Sequence, residues 1–265
     1  MKKILLFYLG VMIASFGCGN MNTPTEKAKG LANELVDRAR AFQERGKNQE
    51  AIEFYDKAIN INPCDSGAWH SKSLVLSILG KEEDARRCYR KAMGLAVPDN
   101  PILYSFAKNI LYSYPAGSIL IVSGDAMTLG LNYLQIVEKL RPDIIVVDQD
   151  LLTYPWYCEQ KRKFEPTLVV PFAMYNPPVS PISKFVEANY DRHKIYVTGP
   201  KDSSLNEKYS LLGQGLLRVV RRLSDNRSPG IDELKAENDN IWSRFNMQEV
   251  FSFFQTGLFS MAKLV

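Results

Sequence analysis

Apolar and small residues follow two different rhythms along this chain. From Ala32 to Pro98 the pattern repeats itself, because Gly46, Ala51, Tyr55 and Ala58 return as Gly80, Ala85, Tyr89 and Ala92, and Leu35 is matched by Trp69. The common offset of 34 residues predicts two helical hairpins, in which Ala51 and Ala85 allow close helix contact and Tyr55 and Tyr89 fill the space between paired helices. Pro63 and Pro98 end the second helix of each hairpin. Two hairpins leave one end uncovered, so a further helix opened by Asn100-Pro101 and carrying Ile102, Phe106, Ile110 and Leu111 is expected to cap the array.

The second rhythm begins at Ser118–Ser123 (SILIVS), a short β-branched run stopped by Gly124-Asp125, and recurs at Ile144–Asp148 (IIVVD). Thr128–Leu140 lies between them with helical spacing, which predicts a right-handed βαβ unit with parallel strands. Lys194–Thr198 (KIYVT) is a further strand expected beside the first, and Thr167–Phe172 reads as another, ended by proline. Asn176–Pro181 is a proline-rich loop, either a cover for the strand ends or a plain surface connection, and Ile182–Tyr190 reads as a helix. In Tyr209–Leu223 the glycines Gly213 and Gly215 work against a regular helix. Ser224–Gly230 is a polar turn, and Ile241–Leu264, rich in aromatic and aliphatic residues, is expected to be a buried helix.

The expected fold is therefore an α-helical tetratricopeptide array followed by a small α/β domain with a mainly parallel sheet. Its divisions are residues 1–18 (signal peptide), 19–31 (tether), 32–98 (two repeats), 99–113 (connecting helix), 114–223 (α/β domain) and 224–265 (polar linker and final helix). A hydrophobic content of 46% suits a packed globular protein rather than a disordered one. Lys+Arg 33 against Asp+Glu 29 is too even for a nucleic-acid footprint.

In an open α/β sheet, polar residues at the carboxyl ends of the strands share a crevice. Here they are Ser123, Gly124, Asp125, Thr128 and Asp148, with Asp150 just beyond and Thr198 and Gly199 arriving from the third strand. They either bind a ligand or cap a helix and close a strand. No GxGxxG or GxxxxGK[ST] is present, which argues against dinucleotide and P-loop chemistry. No cofactor or metal is expected, since the cysteines lack CxxC spacing and His70 and His193 stand apart from any nucleophile motif. Cys64, Cys88 and Cys158 read as free, partly buried thiols, with a disulfide between two of them as the alternative.

Gly124-Asp125-Ala126-Met127-Thr128, Tyr133-Leu134-Gln135, Arg141-Pro142-Asp143 and Pro155-Trp156-Tyr157 resemble, in order and spacing, the soluble C-terminal region of a bacterial membrane glycosyltransferase-like family related to transmembrane protein O-mannosyltransferases. Ala126 and Met127 stand where the family motif has Asn and Asp, which weakens an acid/base or metal role carried over from it. The resemblance implies an accessory domain, because the family's transfer chemistry is attributed to a many-helix membrane portion that this chain is expected to lack.

At the amino end, Met1-Lys2-Lys3, the apolar Ile4–Phe16 and Gly17-Cys18 look like a lipoprotein signal with Cys18 as the lipidated residue, too short to span a bilayer. The expected location is the bacterial envelope, and Gly19 after the cysteine resembles lipoproteins sorted to the outer membrane, facing the periplasm. The expectation is a scaffold or recognition protein whose repeats hold a protein partner and whose α/β crevice accepts a glycan. Arg86, Arg87, Arg90 and Lys91 are the partner-groove candidates, with a solvated helix face as the alternative. The enzymatic alternative pairs Asp125 with Asp148 or Asp150 on a glycoside or activated sugar.

Overall fold

The computed structural model describes residues 24–96, 101–225 and 231–243. Four helices come first among the described residues: α1 (Glu26–Glu44), α2 (Asn48–Ile61), α3 (Ser66–Ile78) and α4 (Glu82–Ala96). The starts of α1 and α3 are written in side chains, since Thr25 accepts from the Ala28 amide and Asp65 from the Ala68 amide, each satisfying an N–H that a helix leaves free. Gly46 and Gly80 turn each hairpin at φ near +70°, conformations that disfavour a side chain. Ala51, Ala85, Tyr55 and Tyr89 are all fully buried. The repeat period thus fixes both the turns and the packing.

The cover over α4 differs from expectation. The connecting helix α5 (Pro101–Ser113) packs chiefly on α6 (Asp125–Asn132), whereas α4 is covered mainly by α6 and the π-helical segment Tyr133–Val137 that follows it. Gly130 makes the α5–α6 approach possible, because a methyl group there would lie 2.9 Å from the Ala107 Cβ. One buried cluster joins Leu74, Tyr89 and Met93 of the repeats to Ile121, Val147 and Trp156 of the α/β part. The two modules share a core.

The sheet holds five strands in the order β2-β1-β3-β5-β4. β1 (Ile119–Val122) lies at the centre of a parallel trio with β2 (Ile145–Asp148) and β3 (Ile195–Val197), aligned so that Ile119 faces both Ile145 and Ile195. Every residue of these three strands is buried, which explains why they read as continuous apolar runs rather than alternating ones. The crossover helix is shorter than expected and passes into the π segment.

Beyond β2 the chain makes a 3-10 turn (Leu151–Thr153), α7 (Pro155–Phe164), α8 (Ile182–Asn189) and, after β3, the single turn α9 (Leu205–Lys208). Tyr209–Leu223 is a β-hairpin of β4 (Tyr209–Gln214) and β5 (Leu217–Arg222), with β5 antiparallel to β3 and Gly215 at φ +59° in its two-residue loop. The glycines that oppose a helix here belong to the hairpin. α10 (Ile231–Ser243) lies beside it, and a methyl group on Gly215 would meet Ile241 at 2.5 Å.

Thr167–Phe172 is not a strand of this sheet. Side chains satisfy its backbone instead: Asn189 bonds both the amide and the carbonyl of Val169, Arg162 donates to the Val170 and Phe172 carbonyls, and His193 bridges the Gly117 and Thr167 carbonyls. Extended segments read as strands when their backbone partners are side chains far away in sequence. Cys88 and Cys158 are buried free thiols, whereas Cys64 is in a disulfide, contrary to its reading as a free thiol. The signal segment with Cys18, the start of the tether, Pro98, residues 226–230 of the polar turn and the final helix beyond Ser243 lie outside the described residues. No described helix is long and apolar enough to cross a membrane.

Candidate functional site

The strand ends are closed by a hydrogen-bonded network. Asp148, 2% exposed at the end of β2, accepts the Thr128 hydroxyl at 2.7 Å and the amides of Asp150 and Leu151 at 2.8 and 3.3 Å. Asp150 accepts the Ser123 hydroxyl at 2.9 Å and the Gly124 amide at 3.0 Å, and its other oxygen pairs with Lys201. Gly124 holds φ +102° between β1 and α6, a backbone angle that L side chains rarely adopt. Thr198 donates its amide to the Ile121 carbonyl, so the end of β3 with Gly199 runs beside the end of β1. Asp125 opens α6, and its carboxylate falls outside the described residues.

The network therefore brings together Ser123, Gly124, Thr128, Asp148 and Asp150. It adds Lys201, which sequence reading missed because a single lysine in a polar loop carries no periodic signal. The neighbouring Asp202 is the second loop anchor, accepting the Tyr175 hydroxyl and the amides of Ile182 and Ser204. Burial would raise its pKa, but donors from Ser204, Tyr175 and Ile182 outweigh that and hold it below the usual aspartate value. These contacts tie the proline-rich loop to the end of β3.

The resembling motifs have structural tasks. Gln135, in the π segment, donates to the carbonyls of Arg141 and Ile144. Arg141 donates to the Leu111 and Tyr114 carbonyls at the end of α5 and chelates Asp143, whose carboxyl is held low by that hydrogen bonding. Tyr157 accepts the Asp148 amide at 2.9 Å, and burial, reinforced by the Asp148 carboxylate, keeps its phenol protonated. Each motif secures the loop between α6 and β2 or the start of α7.

A cleft of about 250 Å³ opens where these strand ends meet the repeats. Arg40, Gln43, Tyr55 and His70 wall it on the helical side; Asp148, Asp150, Tyr154 and Trp156 wall the other. The Tyr154 and Trp156 rings stack with centroids 6.0 Å apart. Among the sequence-derived candidates, Asp148 and Asp150 line this cleft, and Ser123, Gly124, Thr128, Thr198 and Gly199 do not.

The basic cluster on α4 is engaged with acids of its own helix. Arg86 pairs with Glu82 and Glu83, Arg87 with Asp84, and Arg90 with Glu83. No group of three or more His, Cys, Asp or Glu among the described residues is placed to hold a metal.

Family comparisons follow the same division. Models of the tetratricopeptide repeat match residues 35–63 and 54–87, and a model described as TMEM260-associated domain 2 matches residues 103–217. The chain joins tetratricopeptide repeats to a TMEM260-associated domain. The chain is similar to the protein O-mannosyl-transferase TMEM260 of Mus musculus, 37% identical over 78 residues, or 29% of this chain and 11% of that protein. The corresponding protein of Dictyostelium discoideum is 27% identical over 128 residues, 46% of this chain and 16% of its own. An uncharacterized protein of Methanocaldococcus jannaschii is 45% identical over 53 residues, 20% of this chain and 59% of its own. The chain thus spans a small part of the two transferases. The TMEM260-associated domain contains the entire strand-end network except its contacts with the repeats.

Proposed function

We propose that the chain is a non-enzymatic recognition protein of the bacterial envelope that serves glycan or glycoprotein processing. Its repeats and TMEM260-associated domain would act as one binding surface. The observation that carries this reading is the cleft with walls from both modules. Its two carboxylates already accept intrachain donors, while Tyr154 and Trp156 supply aromatic faces and Arg40, Gln43 and His70 polar tips. Flat aromatic rings beside fixed polar groups suit a hydroxylated ligand such as a sugar on a peptide. Similarity to proteins named O-mannosyl-transferases makes a mannosylated serine peptide the first probe.

Calorimetric titration of the purified protein with that peptide tests the reading. Binding is expected without turnover of the glycan, and Tyr154→Ala or Arg40→Ala should weaken it about tenfold, the loss of one aromatic or charged contact. Cleavage or transfer of the sugar, or binding indifferent to both substitutions, would contradict it.

A further inference from the structure

A second cleft, of about 300 Å³, lies on the other side of Leu74, where α3 and α4 face the π segment and α7. Its cations come from three separate elements: Arg86 on α4, Lys139 after the π segment and Lys161 on α7. The Lys161 side chain is only 16% exposed, and Glu165, the carboxylate it pairs with among the described residues, stands 3.7 Å away, beyond ordinary hydrogen-bond reach. Burial lowers the Lys161 pKa, the sign of an ammonium short of compensation. Lys139 is held at φ +58° and makes no ion pair among the described residues. A non-glycine residue in this left-handed region is uncommon, and π segments recur at functional sites.

The lining also contains the phenol of Tyr89, fully buried, with the polar side chains of Ser73, Ser77 and Asn132 around its hydroxyl. Glu82 and Glu165 complete the charged lining, offering acceptors where the three cations offer donors.

We infer that this cleft is an anion site for a phosphomonoester on a small hydroxylated body. Lys161, Lys139 and Arg86 would hold the phosphate, and the Glu82 and Glu165 carboxylates would accept hydroxyls of the body. Arg86 already shares its guanidinium with Glu82 and Glu83, so the two lysines carry most of the site, and ammonium groups form charge-assisted bonds with phosphate. The volume suits a small molecule, at the lower end of ligand pockets. This inference is independent of the cleft at the strand ends.

The test is calorimetric titration of the full protein with glycerol 3-phosphate, inorganic phosphate and inorganic sulfate at low salt. Glycerol 3-phosphate should bind more tightly than either inorganic ion, and Lys161→Gln and Lys139→Gln should each weaken it about tenfold or more, the loss of one charged hydrogen bond. Arg40→Ala, in the other cleft, should leave this binding unchanged, so failure of one reading does not carry the other. Lys139 is exposed, so its variant decides the matter if Lys161→Gln does not fold. Absence of binding, equal binding of all three ions, or affinity unchanged in Lys139→Gln would overturn the proposal.

Discussion

Replacing Asp148 separates a structural carboxylate from a catalytic one. With alanine, the Asp150 amide loses its 2.8 Å acceptor and the Leu151 amide its 3.3 Å one, in a site only 2% exposed. Thr128 is less affected, because its hydroxyl can turn fully to the Gly124 carbonyl at 3.2 Å. Deleting the charge also removes its desolvation penalty, but donors left behind in a buried site dominate. Orphaning one well-bonded amide and one weaker one costs about 3 kcal/mol. At about 2–4 °C per kcal/mol, the melting temperature should fall by about 6–12 °C. Asparagine keeps an oxygen for the two amides and turns its amide group to the Thr128 oxygen. It should cost only about 1 kcal/mol, the difference between charged and neutral acceptors. Urea unfolding of the three proteins measures this order, with unchanged m values showing that stability alone has moved. An alanine variant within about 0.5 kcal/mol of wild type would refute the structural role and return Asp148 to the list of acid/base candidates.

Other consequences follow from the same contacts. Tyr114→Phe removes the hydroxyl that donates to the Gln214 carbonyl and accepts the Leu217 amide across the β4–β5 turn, and should cost about 2 kcal/mol in urea unfolding. Gly215→Ala meets both a positive φ and Ile241, so it should destabilise by about 2 kcal/mol or more; Ile241→Ala in the same chain should return part of that loss. Asp143 and Asp202 have depressed pKa values in the folded state, so their stabilisation is complete above the unfolded aspartate pKa of about 3.9 and drains as pH falls through the folded values. Replacing both with asparagine should flatten that acid limb of a stability-versus-pH curve.

Much of the architecture was legible because it rests on local, repeated signals. The offset joining Tyr55 to Tyr89 announces packed hairpins, and the apolar runs at Ile119–Val122 and Ile145–Asp148 announce strands buried on both faces. The β4–β5 hairpin was obscured because Gly213 and Gly215 interrupt helix and strand patterns alike. Thr167–Phe172 has the composition of a strand, but Asn189, Arg162 and His193 take the place of a neighbouring strand. At the site, Ser123, Gly124, Thr128, Asp148 and Asp150 were recoverable from the rule that strand ends converge. Lys201, and the aromatic wall of Tyr154 and Trp156 facing the repeats, were not. Their placement depends on how α7 and the repeats dock, which no single stretch encodes.

Repeats and α/β domain form one structure with a shared core and a cleft between them. Native-state hydrogen exchange under increasing urea tests it most directly, because it reports the opening free energy of each amide separately. Amides of α3 and α4 and those of β1 and β3 should converge on one common opening, with the same free energy and the same urea dependence. Opening of α3 and α4 at distinctly lower urea, with the strands still protected, would contradict it.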